Sequence, residues 1–176
     1  MIVLGVDPGV AHTGYGVVRT DGARMVALDG GTVETAEGLP LERRLLSIHE
    51  RIVELIAEHA PAAVAVEDVY FSRNVRSALA VGQARGAALL AAAQAGIDVA
   101  GYTPQAIKNA VCGSGAAGKD QVQRMVAALL GLAEPPRSDH AADALAVAIC
   151  HAGGAASRAA YERAERAERA PAGVAR

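Results

Sequence analysis

Met1-Ile2-Val3-Leu4-Gly5-Val6-Asp7-Pro8-Gly9 is an apolar run that ends on a carboxylate and a turn. A stretch of this length stopped by Pro-Gly reads as a buried strand over residues 2–7, with Asp7 at its end. A second run, Ala62-Ala63-Val64-Ala65-Val66-Glu67, ends on an acid in the same way. Being apolar on both faces, it reads as a central strand parallel to the first. Between the two, residues 14–20 and 24–33 read as strands joined at Thr20-Asp21-Gly22-Ala23, whose Asp-Gly pair signals a hairpin. Residues 39–59 carry apolar side chains at 41, 45, 48, 52, 55 and 56, a helical spacing that Pro61 ends. Beyond Glu67 follow an Ala-rich helix over 77–95 capped by Gly96, a strand over 97–102 and a helix opened by Pro104. Helices over 119–130 and 138–152 come next, separated by Pro135-Pro136. A hairpin followed by β-α-β units predicts an α/β fold, a mixed sheet of about five strands flanked by helices.

The 176 residues, 52% hydrophobic with a net charge of −2, suit one folded domain. With no Trp and one Phe, Ala, Val and Leu must build its core. Residues 153–176 repeat Glu-Arg at 162, 165 and 168 and offer only Tyr161 and Val174 as large apolar groups. They read as a solvated helix or loose tail outside a domain of residues 1–152. The N-terminal apolar run lacks a basic lead, and the most apolar later stretch, 87–102, is broken by Gln94 and Asp98. No signal peptide or membrane span is expected, which predicts a cytoplasmic protein. Cys112 and Cys150 are too few for a disulfide framework or a zinc site. Residues 1–68 hold five Arg against eleven acids, whereas residues 69–137 hold seven Lys or Arg against three acids. Such a division suits an acidic part that binds metal and a basic part that faces a polyanion, though solvated charged faces give the same count.

Asp7, Glu67, His140 and Asp143 are the candidate site. Carboxylates brought to one point need neutralising, and a divalent cation does so. In a strand Glu67 and Asp68 point to opposite faces, and periodicity does not choose between them. On a helix that Ser138 could cap, His140 and Asp143 share a side, but so do Asp139 and Asp143. Helical geometry therefore leaves Asp139 and His140 as alternatives.

Asp7-Pro8-Gly9 with Thr13-Gly14 also resembles the phosphate loop of actin-like kinases and ATPases, an alternative that would need a duplicated domain in a longer chain. A turn-forming Asp explains the same residues. Gly113-Ser114-Gly115-Ala116-Ala117-Gly118-Lys119 has the spacing of a nucleotide-binding loop, but Asp120 stands where Ser or Thr must bind magnesium. It reads as a glycine loop that delivers Lys119 to a phosphate, with Lys108, the chain's other lysine, as companion. Tyr70, Phe71, Arg73 and Arg76 follow Glu67 directly, and rings that stack on unpaired bases beside Arg that pairs with phosphate suit nucleic acid.

Taken together, Asp7-Pro8-Gly9, Val64-Ala65-Val66-Glu67, Gly82-Gln83-Ala84-Arg85-Gly86 and His140-Ala141-Ala142-Asp143-Ala144-Leu145-Ala146 resemble the RuvC family of Holliday-junction resolvases, over residues 1 to about 152. The resemblance implies an RNase H-like fold, a homodimer, branch-migration motor proteins as partners, and symmetric metal-dependent cleavage of two strands of a four-way DNA junction. It implies Asp7, Glu67, His140 and Asp143 as catalytic ligands of two Mg2+ ions. It also implies Tyr70 at the junction bases and Lys108 and Lys119 at phosphates. Some members of the family carry Asp at the place of His140, and imidazole suits Mn2+ better than Mg2+. A junction-binding scaffold that no longer cuts is the competing expectation, marked by a missing carboxylate.

Overall fold

A computed structural model describes residues 1–22, 24–68 and 75–169, with side chains described as far as residue 154. Five strands form one mixed sheet in the order β3-β2-β1-β4-β5. β1 (Ile2–Asp7), β2 (His12–Asp21) and β3 (Arg24–Glu34) are antiparallel neighbours. β4 (Ala63–Glu67) runs parallel to β1 on its other side, and β5 (Val99–Tyr102) runs parallel to β4. The hairpin between β2 and β3 turns through Gly22, at φ 60°, a left-handed conformation that glycine adopts without strain.

Helices cover both faces. α1 (Leu41–His59) and α2 (Val75–Gln94) pack on one, with Leu4, Val6, Val17, Val64 and Val66 facing Ile52, Leu55, Ala88 and Ala92. α3 (Pro104–Cys112), α4 (Lys119–Leu130) and α5 (Asp139–Arg169) pack on the other, against Val3, Val18 and Ala65. Alternation along β1 and β4 thus sends successive side chains to opposite layers, which is why both strands read as continuous apolar runs. Each fully buried Leu, Ile or Val contributes roughly 1.5–3 kcal/mol of transfer free energy. Among the described residues no helix is long and apolar enough to cross a membrane.

The helix expected over 138–152 is longer than its spacing predicts. α5 continues through Gly153 and Gly154 to Arg169. Two glycines cost roughly 1 kcal/mol each in a helix, but the alanines and Glu-Arg pairs that follow have high helix propensity. The helix start is as read: the Ala141 N–H donates to Ser138 Oγ at 3.4 Å, and Ser138 Oγ lies 2.6 Å from Thr32 Oγ1 on β3.

α5 lies against the sheet because β1 and β2 present glycine to it. A Cβ on Gly5 would stand 2.1 Å from the Ala144 carbonyl oxygen, one on Gly14 would stand 1.9 Å from that of His140, and one on Gly16 would stand 2.7 Å from the Leu145 side chain. Only bare backbone lets the helix come this close. Its first turns are thereby laid over the end of β1, where Asp7 pairs with Gly14.

Candidate active site

Asp7, Glu67, His140 and Asp143 meet on the α5 face of the sheet. Asp7 shares the parity of Gly5, and Glu67 shares that of Ala65; the Cβ direction of Gly5 and the packing of Ala65 both point to α5. The Asp7 carboxyl stands close enough to that of Glu67 for its charge to act there, and His140 Nδ1 lies 2.9 Å from Asp7 Oδ2. The His12 ring stacks parallel on His140, with centroids 5.5 Å apart and planes 4° apart. Below the turn, the Thr13 hydroxyl donates to the Gly9 carbonyl at 2.6 Å and takes the Gly9 N–H at 3.4 Å. Thr13 is fully buried and staples the Asp7-Pro8-Gly9 loop shut.

Structure separates the two pairs that periodicity left tied. Asp68 turns to the α2 side, where its Oδ1 accepts from Arg85 Nη2 at 2.9 Å, and Glu67 alone faces Asp7. On α5, Asp139 turns away to α4: its Oδ2 is 2.8 Å from Lys119 Nζ and its Oδ1 accepts from Gln123 Nε2 at 2.6 Å. His140 takes the place beside Asp7.

Burial and mutual repulsion among the acids dominate the electrostatics of the site. Burial, then the charge of Asp7 and a hydrogen bond with it, then the charge of Asp143, push the Glu67 carboxyl up to about 8, against a smaller opposing pull from Lys108. Burial and Asp7 likewise raise Asp143. Each carboxyl holds a proton more tightly because burial strips water from its anion and a second acid stands beside it, which together outweigh the opposing pull of the lysines. Three hard oxygen donors and one imidazole, with two of the acids reluctant to ionise, fit a divalent cation. Among the described residues a tighter trio exists at Asp29, Glu58 and His59, with ligand atoms within 4.8 Å of one another. There Arg51 Nη2 lies 3.7 Å from Asp29 Oδ2 and His59 Nε2 lies 3.5 Å from it, so that trio is an ion-pair network with its own balancing charge.

Two concavities flank the acids. A cavity of about 220 Å³ is lined by Glu67 and Asp143 together with Lys108, Lys119, Ile107 and Val122. A shallower groove of about 620 Å³ starts at His140 and passes Gly9, His12, Arg44, Ser77 and Gln83. Arg44 is held there by its Nε donating to Thr35 Oγ1 at 2.8 Å, and the Thr35 hydroxyl bonds to the Val10 carbonyl. Lys108 and Lys119 are therefore both at the site, delivered by α3 and by the first turn of α4. Arg76 lies in the first turn of α2; Tyr70, Phe71 and Arg73 lie outside the described residues. Sequence reasoning missed His12, Arg44 and Gln123. Nothing in their local pattern marks them, since only the β1–β2 turn and the approach of α1 and α4 bring them in.

The model of the family described as crossover junction endodeoxyribonuclease RuvC matches residues 3–151. The chain belongs to the RuvC family. A RuvC crossover junction endodeoxyribonuclease of Pelotomaculum thermopropionicum is 51% identical over 152 residues, 86% of this chain and 93% of that one. The RuvC of Trichlorobacter lovleyi is 57% identical over 151 residues, covering 86% and 84% respectively. Among solved structures, Thermus thermophilus RuvC in complex with a Holliday junction substrate has a TM-score of 0.86 and 44% identity, over 90% of this chain and 96% of that chain. RuvC membership makes the chain an endodeoxyribonuclease and its sheet an RNase H-like one. It also sets aside the actin-like alternative.

Proposed function

We propose that the chain resolves four-way DNA junctions by symmetric phosphodiester cleavage, using divalent metal held by Asp7, Glu67, His140 and Asp143. The observation that carries this is the meeting of three carboxyls and an imidazole beside a cavity that also receives both lysines of the chain. The buried, crowded acids would hold the cations, and the lysines would meet the phosphate. Bound there, the ions would supply an activated water and neutralise the departing 3′ oxygen. The remaining tasks fall to the protein. Lys108 and Lys119 draw a phosphate against the acids, while His12 stacks on His140 and keeps that ring edge-on to Asp7. Arg44 and Gln83 extend a polar path along the groove beyond His140. Tyr70, Phe71, Arg73 and Arg76, immediately after Glu67, suit unpaired bases and backbone at the junction.

Two Mg2+ ions per site satisfy the charge, and His140 makes Mn2+ at least as good a fit. Cutting two strands symmetrically requires two sites, which supports a homodimer. The face of α2 opposite Ala84, Ala88, Ala91 and Ala92 supports the same conclusion, because Val75, Leu79 and Leu90 on it are 78%, 62% and 54% exposed. Branch-migration motor proteins would be partners on the same junction, and a DNA-junction substrate supports a cytoplasmic location. A scaffold that binds without cutting is the second reading. The filled set of four ligands speaks against it.

Cleavage of synthetic four-way junctions against linear duplex, with Mg2+, with Mn2+ and with neither, tests the proposal. Junction-selective, metal-dependent cutting that Asp7→Asn abolishes while junction binding stays within about threefold is the expected result. Equal loss of binding and cutting in Asp7→Asn would sink the assignment of Asp7 as a ligand.

A further inference from the structure

We propose that Asp139 is a positioning residue for Lys119, holding its ammonium at the rim of the acidic pocket rather than inside it; the inference rests on the junction-cleaving reading above. Lys119 lines the same cavity as Glu67 and Asp143, and its ammonium feels Asp143 and Asp7 as well as Asp139. An ammonium on a flexible four-carbon stem, next to buried acids that raise one another's proton affinity, is drawn in among them. There it would occupy the space a cation needs and would no longer be free to meet a phosphate.

Asp139 supplies the competing anion. Its Oδ2 takes Lys119 Nζ at 2.8 Å, and its Oδ1 is filled by Gln123 Nε2 at 2.6 Å. Lys119 and Gln123 stand four apart on α4, so they reach the carboxylate from one face and fix its plane. Asp139 itself precedes His140 by one residue on α5, which ties the lysine's position to the helix that carries His140 and Asp143. Both partners are about half exposed, Lys119 at 52% and Asp139 at 54%. An ion pair so open to water adds little to stability. Its consequence is where the charge sits.

The effect is read in two ways on the full chain. Calorimetric titration with Mn2+ reads pocket occupancy without catalysis, and turnover on a four-way junction reads kcat and KM. Asp139→Asn is expected to weaken Mn2+ binding several-fold and to lower kcat about tenfold, less than the roughly 10²-fold that a 1 Å misplacement can cost, with KM within about twofold. Asp139→Glu restores both. In a Lys119→Ala background Asp139→Asn changes neither quantity, because the ammonium it restrained is gone. Equal losses in both backgrounds overturn the proposal, since Asp139 would then act by its own charge alone. Unchanged Mn2+ binding and kcat in Asp139→Asn overturn it too. Wild-type protein that binds Mn2+ yet leaves the junction uncut removes the junction reading, while the Mn2+ cycle still decides what Asp139 does to Lys119.

Discussion

Burial first, and then Asp7 and Asp143, raise the Glu67 carboxyl to about 8 from an ordinary value near 4.5. The folded protein therefore binds this proton more tightly than the unfolded chain does. In linkage terms the stabilisation is full below about 4.5 and is lost as pH rises through about 8. We expect the melting temperature of the metal-free protein to fall as pH is raised across that window, and Glu67→Gln to flatten the fall. Cations compete with the proton for the same oxygens, so Mn2+ should lift the melting temperature more near pH 8 than near pH 6. Thermal scans of both proteins at a series of pH values, with and without Mn2+, check this; a wild-type profile as flat as that of Glu67→Gln would mean the carboxyl is ionised throughout. Adjacent Asp68 has a different fate although the local sequence treats the two acids alike. Its carboxyl pairs with Arg85 at 2.9 Å on the opposite layer, and a Cβ on Gly101 would stand 2.5 Å from it.

α5 brings half of the site, and its seating depends on what β1 and β2 lack. Gly14→Ala places a methyl 1.9 Å from the His140 carbonyl oxygen, so the strand or the helix start must move. Overpacking of this kind costs roughly 1–3 kcal/mol. The same displacement would pull His140 from Asp7, and we expect a lower melting temperature together with weakened Mn2+ binding. A stable Gly14→Ala protein with normal Mn2+ affinity would show that α5 does not need this approach. α1 offers an opposite case. It ends at Ala60 in a left-handed conformation with φ 44°, its N–H closing on the Ile56 carbonyl. A non-glycine residue there costs roughly 1–2 kcal/mol. Ala60→Gly should therefore raise stability by up to about 1 kcal/mol, measured by chemical denaturation, without changing cleavage. Pro61 told where this helix stops, but not that an alanine would be held in that shape to do it.

A sheet covered on both faces puts the core between β1, β4 and their helices, and α5 reaches the last of the described core at Ala152. Residues 153–176 supply almost no apolar surface of their own. Removing them should shift the melting temperature by no more than a few degrees and leave metal-dependent cleavage intact, by thermal scan and junction assay on the truncated chain; a large loss of either would show that the tail packs or assembles. By itself the sequence determined the order and kind of the elements, the strand ends at Asp7 and Glu67, and the three-residue step from His140 to Asp143. These are local properties: apolar period, turn chemistry and helical spacing act over a few residues and need no distant partner. Periodicity and helical spacing left open which of Glu67 and Asp68 faces Asp7, and which of Asp139 and His140 does; the tertiary structure decided both, in the sense the family resemblance implied. Each such choice is made by a group far along the chain, Arg85 for Asp68 and Lys119 with Gln123 for Asp139, and by glycines at 5, 14 and 16 whose missing side chains matter only once a helix lies on them.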